Sequence, residues 1–152
     1  MSAAMDDATT YVTVSIADQI FGIEIGRVRE VFTLEKLTTV PLSPPEVAGV
    51  LNLRGRIVTA IDMRTRLGLP PCADLSQAMA VGIEHKGEAL ALIVDRVGDV
   101  MPLAESKREI KPVTLDPRWA SVAEGVHRLD GGLLLILDVD HALEPTISAL
   151  AA

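Results

Sequence analysis

An internal repeat constrains the fold of this chain more than any other feature of its sequence. Residues Ile20–Val31 align without a gap with Ala89–Val100, and both segments contain Arg-Val followed two residues later by an acidic residue and a valine. Leu53–Asp62 likewise aligns with Leu129–Asp138, since each has a turn glycine, an apolar run and a closing aspartate. The chain is therefore expected to contain two similar structural units.

The first segments of the repeat have strand patterns. Tyr11–Ile16 alternates apolar and polar residues, a turn is expected at Ala17–Gln19, and Ile20–Ile25 resumes a strand-like composition, so these residues predict a β-hairpin. The spacing of apolar residues in Arg27–Phe32 fits either a short helical turn or a twisted strand.

A second hairpin is predicted from Val47–Leu53 and Arg56–Ile61, which meet at Arg54-Gly55, where glycine tolerates the positive φ of a tight turn. Asp62 is then positioned to cap a short helix over Met63–Leu67 that stops at Gly68.

The consecutive prolines of Leu69–Asp74 are incompatible with a continuous helix or strand and predict a linker between the two units. This gives an N-terminal tail over residues 1–10, a first subdomain over about 11–69, a second over about 76–145 and a C-terminal tail over 146–152. Because a unit of about 60 residues is marginally stable alone, the two are expected to pack together and leave a seam between them.

Composition narrows the function classes. Hydrophobic residues make up 49% of the chain and aromatic residues 3%, so the core must consist of Val, Ile and Leu, which favours strands. The net charge of −7 and the scarcity of aromatic side chains disfavour nucleic acid as a partner. The single cysteine, Cys72, fits a reducing compartment, and the longest apolar run, Leu133–Leu137, is too short to cross a membrane, so a cytoplasmic protein is expected.

Catalytic and metal-binding motifs are not evident in the sequence. No nucleophile elbow, phosphate-binding loop or zinc-helix motif is present, and His85 is expected to be a solvated turn residue. Asp138–Glu144 resembles the start of a calcium loop, but Leu143 stands where the loop requires glycine, so capping by Asp138 is the simpler interpretation. No enzyme activity, cofactor or metal is predicted.

Two arginines flank the turn glycine of the second hairpin. Arg54 and Arg56 are expected at the tip of the turn, where a guanidinium held by rigid strands is able to form a bidentate pair with a partner's carboxylate. The alternative is that both arginines only keep the hairpin end soluble.

The sequence resembles the CheW family of chemotaxis coupling proteins. Val47–Gly55 followed by Ile57–Arg64 is similar to that family's hairpin signature, and Phe21–Ile25, Val94–Val100 and Leu133–Leu143 are similar to further segments in the same order. The resemblance implies a mainly β fold of two five-stranded SH3-like barrels with short helices. It also implies an adaptor without catalytic activity that is recruited to membrane receptor arrays.

The partners implied by the resemblance are the regulatory domain of a CheA-type histidine kinase, bound by the first subdomain, and the cytoplasmic tip of a chemoreceptor, received by the groove between subdomains. Positions matching the family's partner-binding residues are Val28, Glu30, Gly49, Asn52 and Arg54 in the first half, with Val97 and Val100 near the expected groove in the second. Which residues face kinase and which face receptor stays open.

Two further functions remain as alternatives. One is a scaffold of the same family in a receptor–kinase array that does not govern chemotaxis. The other is a small β-barrel that binds a small molecule in the seam.

Overall fold

The computed structural model describes residues 7–71, 75 and 78–151, and these form ten strands, three α-helices and two short 3-10 turns. The strands are β1 Ala8–Ile16, β2 Gln19–Glu24, β3 Val28–Thr33, β4 Val47–Leu53, β5 Arg56–Asp62, β6 Met79–His85, β7 Glu88–Val94, β8 Arg96–Ala104, β9 Ala123–Leu129 and β10 Gly132–Leu137. The α-helices are α1 Met63–Arg66, α2 Pro117–Ala120 and α3 Val139–Ala151, and the 3-10 turns are Ile25–Arg27 and Glu105–Lys107.

The strands form two five-stranded sheets. One has the order β3-β6-β7-β5-β4 and is called the middle barrel, because it uses the five middle strands. The other has the order β8-β1-β2-β10-β9 and is called the terminal barrel, because it joins strands from both ends of the chain. In each sheet an isolated bridge joins the segment that follows one edge strand to the opposite edge strand, Thr38 to Val50 in the middle barrel and Glu109 to Val126 in the terminal barrel. Each sheet therefore curls toward closure.

The sequence repeat corresponds to a repeat of topology. If β1–β5 are matched in order with β6–β10, the strand order of one barrel becomes that of the other. Each repeat gives two strands to one barrel and three to its counterpart, so the two repeats are interlocked. The chain crosses between barrels at Ile25–Arg27 and again at Asp95, and both crossovers lie in the segments Ile20–Val31 and Ala89–Val100, whose sequences align.

The predicted subdomain boundaries are therefore wrong for the sheets. The predicted first half, residues 11–69, contributes β1 and β2 to the terminal barrel and β3–β5 to the middle barrel, and the linker prolines connect two parts of the same middle barrel. The physical reason is that β2 and β7 each pair in parallel with a strand of the other repeat, β10 and β5 respectively. Parallel strands cannot be joined by a tight turn, and the long segments of chain between β2 and β10 and between β5 and β7 make these connections.

The predicted tails also need correction. Strand β1 already begins at Ala8, and α3 continues through the predicted C-terminal tail to Ala151. Thr146 is completely buried in this helix and its hydroxyl donates a hydrogen bond to Glu46. Residues 1–6, 152 and the predicted linker positions 72–74 lie outside the described residues.

The predicted hairpins and helix caps are confirmed. β1 pairs with β2 and β4 pairs with β5, both antiparallel, and the ambiguous segment after Arg27 is strand β3. The Asp62 carboxylate accepts a hydrogen bond of 3.0 Å from the backbone N–H of Arg64, and Gly68 adopts φ +76° just after α1. Asp138 caps α3 by accepting a 3.0 Å hydrogen bond from the backbone N–H of His141.

Two inner strands, β7 in the middle barrel and β10 in the terminal barrel, bury both of their faces. In β7, Leu90 and Leu92 pack in the largest core, which contains residues of both barrels, while Ala91 and Ile93 face a second core formed by the middle barrel. Strand β10 divides in the same way between the shared core and a smaller third core, which includes Leu134. This double burial explains why these strands have continuous apolar sequences rather than an alternating pattern.

The prediction that His85 is solvated is wrong. His85 ends β6 with an exposed fraction of 3%, and its Nδ1 lies 2.9 Å from the Asp140 carboxylate at the start of α3. The helix packs beside the β6–β7 turn and covers the ring. A burial of this kind depends on where a distant helix docks, which a local turn pattern does not reveal.

Asp95 stabilises the crossover between β7 and β8 through hydrogen bonds to two other elements. Its carboxylate accepts hydrogen bonds of 2.7 and 2.6 Å from the Arg64 guanidinium on α1 and one of 2.8 Å from the backbone N–H of Ala17. Hydrogen bonding by Arg64 holds the pKa of Asp95 below its ordinary value in the folded protein. The carboxylate thus joins α1, the β1–β2 turn and the crossover.

We expect Asp95→Asn to lower the free energy of unfolding at pH 7 by about 1–2 kcal/mol. Because the folded-state pKa is depressed, the stabilisation is present above the unfolded pKa of about 4 and is lost as pH falls through the folded value. Urea titrations at a series of pH values should show the difference from wild type shrinking below about pH 4. Asp99→Asn, an exposed position on β8, is the control. A difference that does not depend on pH would contradict the assignment.

Candidate protein-interaction surface

An ion pair closes one end of the middle barrel. The Arg54 guanidinium at the β4–β5 turn pairs with the Glu30 carboxylate on β3. Since β3 and β4 are the two edges of the sheet, this pair spans the gap between them. The Arg54 side chain is 72% exposed and that of Glu30 is 28% exposed, so the pair is part of the protein surface.

The turn that presents Arg54 is fixed by local hydrogen bonding. Arg54 and Gly55 both have positive φ, at 53° and 84°, as a two-residue hairpin turn with right-handed strand twist requires. The Asn52 side-chain oxygen accepts a 2.8 Å hydrogen bond from the backbone N–H of Gly55. Asn52 thus holds the turn, although it is itself exposed.

Two other arginines share one carboxylate next to this ion pair. Arg56 donates to Glu84 at 3.0 Å and Arg29 donates to its other oxygen at 3.3 Å. The hydrogen bond and charge of Arg56 lower the pKa of Glu84, so Glu84 is ionised at neutral pH. Arg54 and Arg56 therefore each form an ion pair within the chain. The sequence suggested two roles for them, pairing with a partner's carboxylate or keeping the hairpin end soluble, and this internal pairing is a third.

A pocket of about 250 Å³ lies beneath these charges, with apolar residues at its base. Arg29 and Glu84 were not predicted as site residues. Arg29 lies between the predicted residues Val28 and Glu30, but nothing in the sequence places Glu84 beside it. Their proximity results from the pairing of β3 with β6, which only the fold defines.

Gly49 has a different position from the other predicted residues, because it is buried within β4. Its φ of +152° lies at a register shift between Val47 and Gly49, and a Cβ atom here would stand 2.6 Å from the Thr38 carbonyl oxygen. The structure assigns Gly49 to the bulge at which the edge of the barrel closes. Gly49 contributes to the surface only by shaping this backbone.

The predicted valines occupy equivalent positions in the two repeats. Val28 on β3 and Val97 on β8 are both half-buried and pack against the core shared by the barrels. Val100 is 54% exposed, and its equivalent Val31, which was not predicted, is 40% exposed. The internal alignment could have identified Val31 as a surface residue of the same kind, because it matches Val31 with Val100.

The seven predicted site residues thus divide between the two barrels. Glu30, Asn52 and Arg54 lie together at one end of the middle barrel, whereas Val97 and Val100 belong to the edge strand of the terminal barrel.

In the parts of the chain that the structure describes, no helix is long and apolar enough to span a membrane. Those same residues contain no cluster of three or more potential metal ligands.

Comparison with known proteins agrees with the fold. The family model of the CheW-like domain matches residues 10–145. The chemotaxis protein CheW of Bacillus subtilis is 26% identical over 151 residues, covering 99% of this chain and 97% of its own length. The CheW of Thermotoga maritima is 27% identical, covering 85% and 83%. The crystal structure of the scaffolding protein TtCheW from Thermoanaerobacter tengcongensis superimposes with a TM-score of 0.75 at 30% identity, covering 86% and 88%.

Two interlocked SH3-like barrels of this kind place the chain in the class of small scaffold domains. The chain belongs to the CheW-like domain family, a family of chemotaxis scaffold and adaptor proteins.

Proposed function

We propose that this protein couples chemoreceptors to a CheA-type histidine kinase by binding each through a separate surface, without catalysis. Binding takes place in the cytoplasm, at receptor arrays on the membrane. Control of the kinase by the receptor then arises because the adaptor binds the kinase's conformational states with different affinities.

The observation that supports the proposal most directly is the exposure of the matched residues. Four of the seven positions that the family resemblance links to partner binding lie on the surface, at Glu30, Asn52 and Arg54 in the middle barrel and at Val100 in the terminal barrel. Because these positions lie on different barrels, two partners have separate places to bind.

The interior of the fold supports an adaptor better than a small-molecule carrier. Side chains fill the cores of both barrels and the core between them. A thermal-shift screen with nucleotides and metabolites tests this directly, because a ligand that binds only the folded state raises the melting temperature.

Arg54→Ala is expected to weaken binding to one of the two proposed partners by about 30-fold, equivalent to about 2 kcal/mol for a residue central to an interface. Titration calorimetry with a purified kinase regulatory domain and, separately, a receptor signalling fragment measures this change. Arg118→Ala removes another exposed, ion-paired arginine and serves as the control. Unchanged affinity of Arg54→Ala for both partners would remove Arg54 from the interface.

The double variant Glu30→Arg/Arg54→Glu separates partner contact from a purely structural ion pair. It restores an opposite-charge pair across β3 and β4 but reverses the direction of the charges. We expect wild-type thermal stability without recovery of binding. Full recovery of binding would show that only the internal pair matters. If wild type binds neither partner at low or physiological salt, the coupling function itself is wrong.

A further inference from the structure

The pocket at the end of the middle barrel has the composition of a protein-binding site. Its lining includes Val58, which is 4% exposed and belongs to the core of the middle barrel, and the half-buried Leu53. Ala89, half-buried, forms part of the wall. A space of about 250 Å³ accommodates one apolar side chain with its neighbouring atoms, rather than a typical metabolite.

The rim of the pocket has more positive than negative charge. Three arginines, Arg29, Arg54 and Arg56, face two carboxylates, Glu30 and Glu84. The arginine side chains are 64%, 72% and 56% exposed. Arg29 and Arg56 both pair with the one carboxylate of Glu84. The rim therefore has one guanidinium charge in excess, on a protein whose net charge is −7.

The terminal barrel shows that the fold does not require the three arginines of this rim. The internal alignment matches Arg29 with Gly98, and it matches Arg54 and Arg56 with Asp130 and Gly132. The same architecture therefore forms with no arginine at any of the three positions. The arginine rim is a property of the middle barrel alone, and a stability requirement common to both barrels does not explain it.

We propose that this pocket binds one apolar side chain of a protein partner that is flanked by carboxylates. The apolar group packs on Leu53 and Val58. A carboxylate of the partner pairs with Arg29 or Arg56, which otherwise share Glu84. Apolar anchors in small pockets surrounded by polar residues commonly dominate binding between proteins. The inference rests on the proposed function, since it describes how one of the two partners is held.

The test fills the pocket without changing a charge. Ala89→Ile adds three carbon atoms at the wall, and the repeat shows that the fold accommodates isoleucine here, because Ile20 occupies the equivalent position in the terminal barrel. The reciprocal variant Ile20→Ala is the matched control. Titration calorimetry with the purified kinase regulatory domain and receptor fragment should show Ala89→Ile binding one partner at least 10-fold more weakly, with Ile20→Ala binding both as wild type does.

A second variant tests the charged rim. Arg29→Ala/Arg56→Ala should weaken the same partner, and the remaining affinity should depend less on salt than that of wild type, because an exposed ion pair between the molecules is lost. If Ala89→Ile and Arg29→Ala/Arg56→Ala both bind like wild type while Arg54→Ala does not, the pocket inference fails and the coupling function stands. If wild-type protein binds neither partner, both fail together.

Discussion

Fragments 1–72 and 73–152 are each expected to be unfolded alone and to assemble into the native fold when mixed. The first fragment has β1–β5 and the second has β6–β10, but neither contains all the strands of either barrel. In the first fragment, β2 lacks β10 and β5 lacks β7, so central strands lose a hydrogen-bonding neighbour and the apolar faces of the shared core are exposed. Unpaired central strands of this kind do not form a stable sheet.

Far-UV circular dichroism and urea titration of each fragment and of the mixture measure this effect. Each fragment should lack a cooperative transition, and the equimolar mixture should recover the spectrum of the intact chain. A fragment covering residues 27–95, which contains the complete middle barrel, is an informative control. A cooperative transition in fragment 1–72 alone would contradict the interlocked topology.

Gly49→Ala is expected to lower the free energy of unfolding by about 3 kcal/mol, the second large effect. Two causes act together, since a φ of +152° is unfavourable for a residue with a Cβ and that Cβ would stand 2.6 Å from the Thr38 carbonyl oxygen. The obstacle is backbone rather than a flexible side chain, so the barrel edge must move to relieve the contact.

Urea denaturation with a constant m value is the measurement for this substitution. Gly55→Ala is the matched control, because Gly55 also has positive φ, at 84°, but no atom lies within 4 Å of a Cβ placed there. Its expected cost is about 1 kcal/mol, from backbone conformation alone. Equal costs at both positions would show that the contact with Thr38 has no role.

Local features of the fold were predictable because they depend on neighbouring residues. The turn at Arg54-Gly55 and the caps supplied by Asp62 and Asp138 need only a few residues of context. The internal alignment also paired Val28 with Val97, and the structure places both against the shared core. Five of the predicted site residues had an equivalent position in the other repeat, within the two aligned segments.

Other features could not be predicted because they depend on contacts between distant segments. His85 is buried by helix α3, about 55 residues further along the chain, and Glu84 meets Arg29 through the β3–β6 pairing. Gly49 was predicted as a partner-binding residue by resemblance, whereas its surroundings in the structure are those of a backbone bulge.

The sequence alone determined the mainly β class, the two repeats and the hairpins, because alternation, turn glycines and capping aspartates act over short distances. Only the tertiary structure decided which strands share a barrel. Two hairpins with the same local pattern can pair within one repeat or between repeats, and the choice depends on which arrangement buries both faces of strands such as β7 and β10. The interlocked arrangement does so, and it also brings Arg29, Arg54 and Arg56 to one rim, which no local pattern specifies.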